Sequence, residues 1–596
     1  MNKELAKVGE LIDNLVSQDP KLRFESISQI KLIAKTIGEK RTRKEFIPFL
    51  TGFSGDEDTK TLLVLIKELS GFAELVGGND YIYSIFPPLI KLTSHEDVTI
   101  SEQVIETFQI LCKDFSKEDF AKHIFPLFKQ LSLKKWMSYN YTACGMTPLF
   151  YASLEKEQQE FVQKIFLRFC KNKSTLIRKK CCKILSKLIL LFDEELIISF
   201  ALPLLQEFHQ DSQDSIRIQS VDNCVSCVKQ LKDEQIIIQE IIPIFQTLSE
   251  DKSWRIRHKV SSSFCQFCSN LSEKIILEVL IGSYLDLLED TEDEVRSIGS
   301  LKLFDFCELI KTNSKIITEK IVPKIESLSI DSCDFVKSSL AVSIVKISTL
   351  IGKEESLEKL LPHQLVLLSE ESAKISLPLI QNLHYVSEVV GIEPLMNEVL
   401  SSINQLSNDN DWRNRVAMIK CIASLAKQFG VELFNEHLLD LSFSWFTDVV
   451  HSVREEATTM ITELTKLFGV KWSNQFAIPK IIQLSNHQNH LFRQISIYTI
   501  LKLAPIIGED SINNNVIETI IQLSQDPVPN IRIYLVNTFI QLSKHINQES
   551  LNQLKTILNK LLEDVDQDVQ YFAKRTLKRN REKIITILII LNISYQ

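Results

Sequence analysis

DSQDSIR at 211–217 decides the fold, because the pattern returns as DKSWRIR (251–257), DTEDEVR (290–296), DVVHSVR (448–454) and DPVPNIR (526–532). Each segment opens on Asp and closes on an aliphatic residue followed by Arg. Carrying the Arg position outward marks residues 23, 62, 101, 140, 178, 217, 257, 296, 337, 376, 415, 454, 493, 532 and 570. The gaps run from 38 to 41, and ten of the fourteen equal 39, so the period belongs to the whole chain. Ten marks are Arg or Lys; Leu62, Ser101, Asn140, Ser376 and Gln570 depart. Proline supplies a second ruler. Pro48, Pro87, Pro126, Pro203, Pro243, Pro323, Pro362 and Pro479 each stand 14 residues before a mark, half of the 16 prolines in the chain. Two rulers in phase are not an accident of composition.

Self-similarity at this period predicts a stack of helix pairs. After a mark, apolar residues recur at helical spacing, as in Val221, Cys224, Val225, Val228 and Leu231. Before it, runs such as IIPIFQTL (241–248) predict a first helix, bent at a proline that cannot donate a backbone bond. The turn Asp is expected to cap the second helix. The marked Arg falls in that helix's first turn, where its charge opposes the dipole, so capping does not explain it. The expectation is a ladder in which Arg of one unit meets Asp of the next. A pair of this length cannot bury its apolar faces alone, so units stack on their neighbours. The predicted fold is all-α: one elongated α-solenoid, a superhelix of about fifteen antiparallel helix pairs spanning 1–577, with a contour on the order of 130–150 Å.

Composition agrees. Hydrophobic residues make up 44% of 596, while 15 Gly and 16 Pro are too few for an all-β fold or a chain of linkers. The 68 basic and 76 acidic residues are spread along the chain, without the basic stripe of a nucleic-acid binder. MNKELAKVGELIDNL (1–15) lacks a signal-peptide core, and no run reaches the roughly 18 apolar residues of a membrane span. The expectation is therefore twelve reduced cysteines and a cytoplasmic location, with the nucleus as a second compartment. KRNREK (578–583) and the apolar IITILIILNI (584–593) form a C-terminal extension of unknown role, outside the period.

Catalytic motifs are missing: there is no GxxxxGK[ST], GxGxxG, HExxH or GxSxG. The reading is not an enzyme, with no cofactor. Cys224–Cys227 and Cys265–Cys268 have the spacing of zinc ligands, but all four fall on the apolar face of second helices, and Cys307 repeats the register. They read as core residues, with no metal. The turns say more. Trp254 and Trp412 each stand three residues before a mark and precede an Arg, in DKSWRIR and DNDWRNR (409–415). Such a ring either packs over a neighbouring turn or anchors a partner, since Trp and Arg dominate interface hot spots.

At these turns the chain resembles the scaffold (A) regulatory subunits of protein phosphatase type 2A, which are built from fifteen HEAT repeats. Beyond the Trp-Arg turns, the matching stretches include RTRKEFIPFL (41–50), LVGGNDY (75–81), YTACG (141–145), VKSSLAVSI (336–344), DVVHSVREEAT (448–458) and DPVPNIR (526–532), over about residues 8–577. The resemblance implies a scaffold in a heterodimer or heterotrimer. Repeats 11–15, about 391–577, would hold the phosphatase catalytic subunit through Trp412, Arg413, His451, Val528, Pro529 and Asn530. Repeats 1–10, about 1–390, would hold regulatory (B-type) subunits through Arg178, Lys179, Asp214, Trp254 and Arg255. The chain departs from that pattern at Lys173, in place of an acid, and at Thr175, in place of a proline. The second turn, DEDTKTLL (56–63), is one residue longer and ends without the usual acid. The alternative is a HEAT-type nuclear transport receptor, but those are usually longer and carry an acidic insertion absent here.

Overall fold

The computed structural model describes residues 2–53 and 58–577; the extension at 578–596 and part of the long second turn (54–57) lie outside them. Among the described residues every regular element is a helix. Contacts divide the chain into two compact units, Met1–Gly299 and Ser300–Gln596. Each is a stack of helix pairs. In the first, the second helices Thr175–Ile189, Asp214–Gln230 and Trp254–Cys268 pack one on the next. In the second, Trp412–His437, His451–Phe468, His490–Asn515 and Pro529–Leu542 do the same. The expected core positions Val221, Cys224, Val225, Val228 and Leu231 are all buried. Each Val or Leu enclosed this way contributes about 1.5–3 kcal/mol.

The first helices are bent as expected, but proline is not the cause. In repeat 7 a short α-turn, Glu234–Ile236, passes through a five-residue π-turn, Ile237–Ile241, into Ile242–Ser249, with Pro243 in its first turn. Repeat 8 makes the same π-turn, Ile276–Leu280, although Gly282 stands where the proline would be. The widened turn is therefore a property of the repeat. Proline is tolerated just after it because an i→i−4 donor is no longer needed there.

At the joint from one repeat to the next, 24 residues before a mark, two devices recur. Gly38, Gly352, Gly391, Gly430, Gly469 and Gly508 adopt φ between 76° and 90°, a left-handed region closed to most side chains. At the equivalent position Asp193 and Asp233 instead cap the first helix, accepting the backbone N–H of Leu196 (2.9 Å) and Gln235 (2.8 Å).

The expected ladder is present. Nε and Nη2 of Arg217 donate to the two carboxylate oxygens of Asp251 in the next turn, at 2.7 and 2.8 Å. The same fork recurs at Arg178–Asp211, Arg257–Asp290, Arg415–Asp448, Arg493–Asp526 and Arg532–Asp564, and Lys337 meets Glu370. Nη1 of Arg217 turns back to its own turn and donates to the Asp211 carbonyl at 2.9 Å. The Asp has a different second duty from the one expected. Asp251 accepts the N–H of Ser253 (2.8 Å), which precedes the helix beginning at Trp254, so it closes the turn and does not cap the helix. It lies too far upstream to reach the helical N–H groups.

Burial alone would raise the Asp251 carboxyl, but the Arg217 bonds and the Ser253 N–H outweigh it and hold the group below its ordinary value. Asp211 and Asp290 are lowered in the same way. A depressed folded value gives stability that is full above the unfolded pKa and is lost as pH falls through the folded one. The thermal midpoint should stay flat from neutral pH to about 5 and fall below about 4, where carboxylates protonate. Asp251→Ala should cost about 3–5 kcal/mol, because it strands the Arg217 guanidinium in the interior. Urea unfolding, with hydrogen exchange at 251–260, measures that loss; an unchanged midpoint would exclude a structural role for the rung.

Candidate binding surface along the repeat turns

The turn between the two helices of a repeat is where side chains escape the core. The first residue of each second helix leans back over its turn, since helical side chains point toward the N-terminus. Trp254 and Trp412 are such first residues. Both rings are half-buried, and the guanidinium of the next residue lies over each, Arg255 at 5.0 Å and Arg413 at 4.7 Å from the ring centroid. Cation and ring hold each other in place. Both arginines are exposed. Two turns in separate units thus present the same Trp-Arg pair.

The other expected residues occupy the same few positions. Asp214, His451 and Pro529 share the register of the tryptophans, three before a mark; Asp214 and His451 are exposed. Pro529 opens its helix, where its missing N–H costs nothing, with Val528 half-buried before it and Asn530 exposed after it. Lys179 is exposed, whereas the Arg178 guanidinium is committed to Asp211 and to the carbonyls of Asn172 and Lys173. Thr175 starts its helix without the proline, and Asn172 does the turn-closing duty of Asp by accepting the Ser174 N–H at 2.8 Å.

The structure adds residues that the sequence reading passed over. Trp136, 67% exposed, sits four before its mark, one out of the tryptophan register. Val449 is exposed on its turn and Phe335 in the first turn of its helix. The available signal was any large apolar residue within five positions upstream of a mark. By length and composition, His490–Asn515 is the one described helix able to cross a membrane. Gly508, at φ 79° and ψ 169°, breaks it, and Ile495, Thr499 and Leu503 are buried in the stack.

A family model described as PIK3R4-like, middle domain, matches residues 162–363. The beta isoform of the human serine/threonine-protein phosphatase 2A 65 kDa regulatory subunit, of the A type, is 32% identical over 387 residues, covering 65% of this chain and 64% of that one. The corresponding PP2A regulatory protein of Schizosaccharomyces pombe, also of the A type, is 31% identical over 46% of each chain. The Dictyostelium discoideum protein phosphatase 2A scaffold subunit is 34% identical over 33% of each. These relatives are named phosphatase 2A regulatory subunits of the A type or, in Dictyostelium, a scaffold subunit. The chain spans less than two thirds of the length of each. The family resemblance read from the sequence is thus matched by curated relatives. Among solved structures, a mutant of Kap121p superposes with a TM-score of 0.53 at 14% identity, covering 99% of this chain and 68% of the other. Kap95p gives 0.51 at 10% identity, covering 96% and 87%. At such identity these show a shared solenoid fold and nothing about function.

The thiols belong to the core. Cys224, Cys227, Cys268 and Cys307 are buried and Cys265 is half-buried. Burial pushes the Cys227 thiol up to about 12 and Cys224 and Cys268 well above the usual range, away from the thiolate a metal needs. Among the described residues no three His, Cys, Asp or Glu are grouped to hold a metal ion. In the native protein a disulfide-exchange reagent at pH 8 should modify Cys265 and Cys333, the two half-buried thiols, well ahead of the other ten. All twelve should react in denaturant; rapid native reaction of Cys224 and Cys227 would contradict their placement.

Proposed function

We propose that this chain is a non-catalytic scaffold of a protein phosphatase 2A complex. It holds the catalytic subunit on the turns of repeats 11–15 and interchangeable regulatory subunits on those of repeats 1–10. The observation that carries this reading is the pair of Trp-Arg turns, built alike at 254–255 and 412–413, in a chain whose curated relatives are named regulatory or scaffold subunits. A half-buried ring with an exposed guanidinium is an anchor of the kind that dominates interfaces. The catalytic-subunit contacts are Trp412, Arg413, His451, Val528, Pro529 and Asn530. The regulatory-subunit contacts are Lys179, Asp214, Trp254 and Arg255, with Arg178 contributing its apolar stem while its charge stays in the ladder. The site of action is the cytoplasm, and also the nucleus.

The two turns are separable, because contacts in a repeat array are mostly between neighbours and damage at one turn stays local. Truncating a hot-spot Trp costs about 2–4 kcal/mol, roughly thirty- to a thousand-fold in affinity. Trp412→Ala should abolish capture of the catalytic subunit while helicity by circular dichroism persists. Trp254→Ala should weaken at least one regulatory class and still capture the catalytic subunit. Pairwise binding with purified proteins separates direct from indirect effects. Loss of the same partner by both variants, or of none by either, would show the turns are wrongly assigned.

A further inference from the structure

At Arg454 the ladder has a cation and no acid. The neighbouring rungs meet Asp448 and Asp526, but the corresponding residue of repeat 13 is His487. His487 keeps half of the acid's duty: its Nδ1 accepts the N–H of Asn489 at 3.0 Å, as Asp526 accepts that of Val528. With Nδ1 so used, the imidazole has only a donor left and offers a guanidinium nothing. Nη1 of Arg454 still donates to the carbonyls of Asp448 and Val449, at 2.7 and 3.2 Å. Its Nε is buried with no acceptor, in a residue only 3% exposed. Native interiors rarely leave such a donor unpaired.

Beside this group opens a pocket of about 130 Å³ between the second helices of repeats 12, 13 and 14, lined by Arg454, His451, Glu455, Leu491, Tyr498 and Tyr534 among others. The acid already there does not serve Arg454. The Glu455 carboxylate accepts the Tyr498 hydroxyl at 3.3 Å and lies 4.0 Å from His451 Nδ1. We propose that this pocket receives an aspartate or glutamate side chain of the catalytic subunit, which presents to Arg454 the carboxylate that residue 487 lacks. The inference rests on the function proposed above, in which His451 on the pocket wall is already a catalytic-subunit contact. The unpaired Nε is one of the two donors that make the carboxylate fork at the neighbouring rung. The adjacent Glu455 repels a doubly charged phosphate more strongly than a singly charged carboxylate. Leu491 and the two tyrosines line the pocket, and a partner seated over them would exclude water from the pair and strengthen it.

Two variants of the full chain test this against purified catalytic subunit, by calorimetry. His487→Asp offers Arg454 an internal acid, so it should raise the thermal midpoint of the free scaffold and weaken binding about tenfold or more. Arg454→Met keeps the bulk, removes the charge and should weaken binding comparably, since losing one member of a buried charge pair is costly. Trp412→Ala, run in parallel, reports the neighbouring anchor. If the unaltered chain binds and both position-454 and position-487 variants bind as tightly, the pocket proposal is overturned and the scaffold reading stands. If the unaltered chain does not bind at all, both fall.

Discussion

A single arginine that serves two turns at once holds the architecture together. Its Nη1 staples the turn it follows, and its Nε and Nη2 grip the acid of the turn ahead. The acid in turn closes its own turn through a backbone N–H. Local geometry and inter-repeat alignment therefore depend on the same few atoms. Buried ion pairs roughly break even against desolvation, so stability comes mainly from the apolar faces. What the ladder adds is register. Lys337 shows the same logic by exception: a point charge in place of a fork is met by the longer Glu370 in place of Asp.

Because alignment is carried on the inner end of each turn, the outer positions are free to vary. Three before the mark the chain places Trp254, Trp412, Asp214, His451 or Pro529, each the first residue of its second helix. One backbone frame thus displays different chemistry at each step, which is what a protein that holds several partners requires. Exposed Trp136 and Phe335 stand one residue to either side of that register.

The ladder was legible because an interaction repeated at a fixed interval leaves a mark at that interval. Its partner's duty was not: proximity to a helix suggested capping, and only the structure separates a residue that closes a turn from one that caps. The bend was credited to proline because Pro243 and its equivalents are visible in a sequence, whereas the π-turn that also bends repeat 8 beside Gly282 has no residue of its own. His487 escaped notice because the reading followed cations and not the acids they meet. Trp136 escaped because it stands one residue out of phase, next to the 38-residue gap.

The π-turns have a further consequence. An i→i−5 loop holds one residue more than an i→i−4 loop, so each first helix that has one carries a surplus residue upstream of its packed segment. Removing a residue from Ile237–Ile241 would let that stretch relax to an ordinary α-turn. The leading turn Glu234–Ile236 would swing by about 100° around the axis, the rotation of one residue. Asp251, Arg257 and the helices between neighbouring rungs would keep their places. Each such repeat has an internal expansion joint, and length changes during evolution can be absorbed there without disturbing the alignment of the stack.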